Sequence, residues 1–200
     1  MAKLLKVDAA IAAFDAGEIV AIPTDTVYGF AVEVSHPTGL ERLFALKDRP
    51  TNVPVPVLVD SVDQIAYLGV EWNEYASRLG RAFWPGALTI IVPVPHELGV
   101  LVGSQNDTVG FRIPDDDLIR RMIAVIGPLA VSSANLHGQP ACRSAYEVLE
   151  QFRNHRELAG VIDGGERSGD VSAVVDVTTN QWRVVREGSI TTEDIARVLA

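Results

Sequence analysis

Two hundred residues, 48% of them apolar, suffice to bury a full core, and no repeat, low-complexity tract or long Gly/Ser/Pro linker divides the chain. The formal net charge of −9 sets 26 Asp and Glu against 17 Lys and Arg, which excludes a general polyanion-binding surface because the summed field repels phosphate backbones. A phosphorylated ligand must then be held by a few local cations.

The opening MAKLLKVDAA has no apolar core long enough for a signal peptide, and no run approaches the roughly 20 apolar residues of a membrane helix. Asp8 reads as an N-cap and Gly17 as a stop, with Ala9, Ile11, Ala12, Ala13 and Phe14 forming a short amphipathic helix between them. Strand-like runs follow at 18–22 and 27–34, then a helix from about Pro37 with Leu40, Leu43, Phe44 and Leu46 near one face, halted before Pro50. PVPVLVD (54–60) reads as a strand with its prolines at the start or at an edge. Ser61 and Gln64 have capping-box spacing for another helix, and a longer one covers about 71–83, ending at Trp84-Pro85-Gly86. ALTIIVPV, TVGFRI, PLAVSS, GVIDGG, AVVDVT and WRVVRE supply further β segments, while helices near 116–126, 144–153 and 191–199 separate or close them.

This interleaving predicts an α/β fold with a mixed, twisted sheet, since two strand pairs follow one another directly. Residues 1–200 read as one domain. Cys142 is the only cysteine, so an internal disulfide is impossible and a reducing, cytoplasmic setting is the natural expectation.

Chemistry is expected where apolar strands end in unusual polar residues: PTDTVYG, KDRP, SSAN and VSAVVD, with the strand-end arginines Arg112 and Arg186. If residues 24–28 are extended, Thr24, Thr26 and Tyr28 share a face and offer hydroxyls to a small polar ligand, with Gly29 allowing close approach. Half-exposed threonines that simply favour β structure explain the same letters. Lys47 and Arg49 suit either a helix C-terminus or a phosphate clamp. SSAN (132–135) fits a phosphate-cradling loop or a plain turn. Neither a Walker A sequence, a GxGxxG fingerprint nor a G-x-S-x-G elbow is present, and Gly164-Gly165 counts only as a turn. His36, His96, His137 and His155 show no ligand spacing, so no metal site is expected, and Cys142 reads as a small packing residue.

Taken in order, these segments resemble the threonylcarbamoyl-AMP synthase, or YrdC-like, family. PTDTVYG, LFALKDRP, FWPGALT, TVGFRIP, SSANLHGQPACR, GDVSAVVD and VVREG each match a motif of that family, over roughly residues 18 to 190. The resemblance implies an open twisted α/β sheet around a large cavity, in the compact form without an additional C-terminal domain. It also implies an activity: L-threonine, bicarbonate and ATP are joined into threonylcarbamoyl-AMP with release of pyrophosphate, and partner transferases pass the group to an adenosine beside the anticodon of tRNA. By the same resemblance Arg112 takes the threonine carboxylate, Thr26 and Ser172 its polar groups, and Val131 lines its side. Lys47 and Arg49 would serve as catalytic cations and, with Thr108, Ser133, Asn135 and Arg186, would hold ATP, with Mg²⁺ carried on the phosphates. No protein nucleophile is required.

Departures stand at Thr51-Asn52-Val53-Pro54-Val55 after KDRP, at Leu58 where some members have histidine, at His137 in place of serine and at Ala173 in place of threonine. The prolines after Pro50 suit a lid. Two rival readings are an RNA-binding module, which needs a wide basic surface that the acidic balance argues against, and a related enzyme making a carbamoyl-adenylate from another amine.

Overall fold

The structure, a computed structural model, describes residues 1–48, 52–136, 138–168 and 170–200. In chain order its first elements are β1 (Lys3–Leu5), α1 (Val7–Asp15), β2 (Ile19–Pro23), β3 (Tyr28–Glu33), α2 (Pro37–Leu46) and β4 (Val57–Leu58). There follow α3 (Val62–Tyr67), α4 (Glu74–Phe83), β5 (Leu88–Pro93), α5 (His96–Leu101), β6 (Thr108–Arg112) and α6 (Asp117–Ile126). The last are β7 (Leu129–Ser133), α7 (Ala145–Phe152), β8 (Leu158–Ile162), β9 (Ala173–Asp176), β10 (Arg183–Arg186) and α8 (Thr192–Leu199).

The strands form one mixed sheet in the order β1-β8-β2-β3-β7-β4-β6-β5-β9-β10, as the interleaved pattern leads one to expect. β2 and β3 make an antiparallel hairpin closed at Pro23↔Tyr28, and β3 pairs antiparallel with β7, with Gly29 opposite Ser133. The β4 and β6 strands run parallel, so Leu58 lies opposite Arg112.

Both faces of the central strands are covered, and period-two alternation divides their side chains between two cores. Ile19 and Ala21 join Phe30, Leu43, Leu79 and Phe152 on one face. Val20 and Ile22 join Phe14, Ile119 and Ile123 from α1 and α6 on the other. Phe14, Phe30 and Phe152 are fully buried, each contributing about 1.5–3 kcal/mol of transfer free energy.

Several local expectations are corrected. Lys6, not Asp8, stands at the N-cap of α1, and Asp8 sits in the first turn, where its charge suits the helix dipole. Gly17 does end the region, at φ +67°. Of residues 54–60 only Val57 and Leu58 join the ladder, because Pro54 and Pro56 have no N–H to give. Gln64 accepts from the Asp60 N–H rather than from Ser61, and the Ser61 side chain makes no cap bond, so the expected box at α3 does not form. The helix expected over 71–83 begins at Glu74, where the Asn73 side chain caps the Ala76 N–H. The short elements β1 and α5 have too little periodicity to stand out in the sequence.

Candidate functional site

The chain between β2 and β3 is a tight tip rather than the extended segment expected at 24–28. The Thr24 hydroxyl donates to the Val27 carbonyl at 2.8 Å and accepts from the Thr26 and Val27 N–H groups at 3.2 and 3.3 Å. Thr24 and Thr26 also share a hydroxyl–hydroxyl bond of 2.9 Å. The tip is thus built from its own side chains, an ST-turn arrangement. Tyr28 does not offer its phenol to the same face. It accepts from the Gly164 N–H and donates to the Gly165 carbonyl, both at 2.9 Å, and burial raises its pKa above the ordinary phenol value.

The tip meets the end of β6. Arg112 is buried, and its Nε donates to the Gly86 carbonyl at 2.9 Å, Nη1 to Thr26 Oγ1 at 3.1 Å and Nη2 to Asp25 Oδ1 at 2.6 Å. A guanidinium has five N–H groups. Three are tied here from three directions, and each terminal nitrogen keeps one more. Burial lowers the Arg112 pKa, and the Asp25 carboxylate opposes the shift.

Across the sheet, Arg186 donates from Nε and Nη2 to the Ser172 carbonyl, at 3.1 and 2.8 Å, and from Nη2 to Ser172 Oγ at 3.0 Å. The Ser172 hydroxyl in turn shares a 3.2 Å bond with Thr89 of β5. Burial, then the nearby charge of Arg112, lowers the Arg186 pKa. Beyond β7, Lys47 Nζ donates to the carbonyls of Ser133 and Asn135 at 2.7 and 2.6 Å and to Asn135 Oδ1 at 2.7 Å. Ser133 Oγ donates to the same Oδ1 at 2.7 Å, and the Asn135 amide closes the turn on the carbonyls of Leu136 and Gln139.

These groups surround one cavity of about 430 Å³. Thr26, Arg112, Val131, Ser133, Asn135, Ser172 and Arg186 all line it, together with Leu58. Its floor is the middle of the sheet, where a Cβ on Gly29 would come within 2.6 Å of Val131 Cγ1, so the backbones there approach as only glycine allows. Lys47 reaches the cavity through Ser133 and Asn135. Thr108 stands at the far end of β6, about 13 Å from Arg112 by strand rise, and is not among the lining residues. Arg49 and the departures at Thr51 and His137 lie outside the described residues, so the phosphate clamp and the lid after Pro50 are not described in full. Thr89, Asp25 and Gln139 were not singled out in the sequence. A lone buried threonine in the run LTIIV and an acid between two threonines are the signals that mark the first two.

The comparisons with known proteins bear on this arrangement. The Sua5/YciO/YrdC family model, which carries the description "Telomere recombination", matches residues 12–188. The chain belongs to the Sua5/YciO/YrdC family. Among curated members, a putative threonylcarbamoyl-AMP synthase of Mycobacterium tuberculosis is 37% identical over 191 residues, covering 95% of this chain and 87% of that protein. The threonylcarbamoyl-AMP synthase of Pyrococcus abyssi is 34% identical over 185 residues, which cover 92% of this chain but 54% of that protein. The crystal structure of P. abyssi Sua5 complexed with L-threonine superposes with a TM-score of 0.89 at 33% identity, over 96% of this chain and 57% of that one. This chain therefore spans about half the length of the Pyrococcus member. The order of motifs in the sequence had pointed to the same family.

Proposed function

We infer that this chain is an L-threonylcarbamoyladenylate synthase, a nucleotidyl-transferring enzyme that supplies tRNA modification beside the anticodon. The observation that carries the reading is the Arg112 guanidinium, fixed by Gly86, Thr26 and Asp25 with one N–H left on each terminal nitrogen. That is the donor pattern a carboxylate takes bidentately. A homologous Sua5 has been crystallised with L-threonine.

In this scheme Thr26 and Ser172 bond threonine's polar groups, and Val131 and Leu58 give an apolar wall. The threonine amine and bicarbonate form a carbamate with loss of water, and a carbamate oxygen attacks the α-phosphorus of ATP as pyrophosphate leaves. The protein's part is positioning and charge neutralisation. Arg186, Lys47, Ser133 and Asn135 form the nucleotide side, with Arg49 and Thr108 assigned there by sequence alone. Mg²⁺ is assigned to the triphosphate oxygens, where ATP itself supplies most of its ligands. Residues 1–200 act as one catalytic unit, and the product passes to tRNA threonylcarbamoyl-transferase proteins. None of the described helices is long and apolar enough to cross a membrane. A cytoplasmic site of action follows from the tRNA substrate pathway, and weak direct tRNA binding from the acidic charge.

The test is ATP–pyrophosphate exchange run with and without threonine and bicarbonate. Exchange that needs both supports the assignment. Equal exchange with serine, or with carbamoyl phosphate in place of bicarbonate, overturns it in favour of a related carbamoyl-adenylate enzyme.

A further inference from the structure

The two arginines that line the cavity have unlike partners. Arg112 meets a carboxylate, Asp25, at 2.6 Å, and both side chains are largely withdrawn from water. Among the described residues Arg186 is held by neutral acceptors, the carbonyl and hydroxyl of Ser172. Asp25 is also placed differently from its neighbours. Thr24 and Thr26 line the cavity and Asp25 does not, so the tip lays its carboxylate against Arg112 from outside the ligand space.

The consequence depends on what kind of anion approaches. A polyphosphate gains chiefly from uncompensated positive charge. An amino acid is a zwitterion: its carboxylate gains from two parallel N–H···O bonds, while its ammonium is repelled by a bare guanidinium close by. A guanidinium already neutralised by Asp25, yet still presenting one N–H on each terminal nitrogen, suits the zwitterion and not the polyphosphate. Arg186, which has no carboxylate partner among the described residues, suits the polyphosphate.

We propose that Asp25 is a specificity-determining residue: by neutralising Arg112 from behind, it reserves that half of the cavity for an amino-acid carboxylate and directs phosphate groups to the Arg186 half. This rests on the synthase reading of the same cavity. Asp25 touches no substrate and acts through Arg112. Without it, two guanidiniums on one cavity would both attract phosphate, and the substrates would compete for one subsite.

The experiment is calorimetric titration of L-threonine into the full chain, alone and with saturating inorganic pyrophosphate as the polyanion probe. For the unmodified protein the threonine Kd stays within about twofold when pyrophosphate is added. For Asp25→Asn, which keeps an acceptor for Nη2 but removes the charge, pyrophosphate raises the threonine Kd by about fivefold or more, and Asp25→Glu restores indifference. Competition in the unmodified protein overturns the proposal, and that arm does not depend on any variant folding. Indifference in Asp25→Asn equal to that of the unmodified protein overturns it too. Failure of threonine to bind the unmodified protein at all, with pyrophosphate absent, removes the synthase reading and the sorting role with it.

Discussion

The tip at residues 24–27 and the turn after β7 lie at the ends of neighbouring strands, with Gly29 and Ser133 paired between them, but they hold their shapes in different ways. The bonds that close the tip join residues two or three apart: those of the Thr24 hydroxyl and the backbone bond from the Thr24 N–H to the Val27 carbonyl. The turn is clamped by Lys47, which is 86 residues from Ser133 and 88 from Asn135 in sequence. The tip can therefore orient Arg112 from local structure alone. The turn has local bonds too, from Ser133 Oγ and the Asn135 amide, but it gains the Lys47 clamp only when the C-terminal end of α2 docks beside it, so the nucleotide side depends on the tertiary fold more than the amino-acid side does.

That contrast can be broken. Lys47→Met keeps the length of the side chain and leaves three oxygen acceptors without their cation. It should lower the unfolding free energy by about 3 kcal/mol in urea titrations, since a hydrogen bond to a charged group is worth about 1.5–3 kcal/mol. ATP–pyrophosphate exchange should fall by about tenfold or more, while threonine affinity changes far less. Equal losses for both ligands would erase the distinction between the two loops.

Thr24→Val sharpens it from the other side. Removing the hydroxyl leaves the Thr26 and Val27 N–H groups unanswered and takes one of two donors from the Val27 carbonyl, at a cost of about 1–2 kcal/mol. Here threonine affinity should fall and exchange at saturating threonine should persist. Tyr28→Phe extends the comparison to a third loop, because the phenol bonds Gly164 and Gly165, 136 and 137 residues away. The expected loss is about 1 kcal/mol in the same unfolding assay, with both ligands affected alike.

The same division explains what was legible in the sequence. The central strands, α2, α6, α7 and α8 are visible because their apolar spacing and end residues are local. The strand at 54–60 was over-extended because alternation does not reveal that Pro54 and Pro56 remove the donors a ladder needs. Period-two alternation puts Thr24, Thr26 and Tyr28 on one face, whereas the Thr24 hydroxyl bends the chain. That Thr26, Arg112, Ser172 and Arg186 meet in one hollow is a consequence of strand order, which joins β8 to β2 and β9 to β5 across long connections. No local rule contains it, and only the succession of family motifs anticipated it. Thr89 does not stand out, because a threonine in a strand is ordinary until its partner, Ser172, 83 residues on, is known.

The central claim is that Arg112 receives a carboxylate. It is tested most directly by titrating the unmodified protein with L-threonine and with L-threoninamide, which differ only in that group. The account predicts that the amide binds about tenfold more weakly or worse, a difference of about 1.4 kcal/mol or more, and that Arg112→Ala abolishes the gap. Equal binding of the two by the unmodified protein would contradict it.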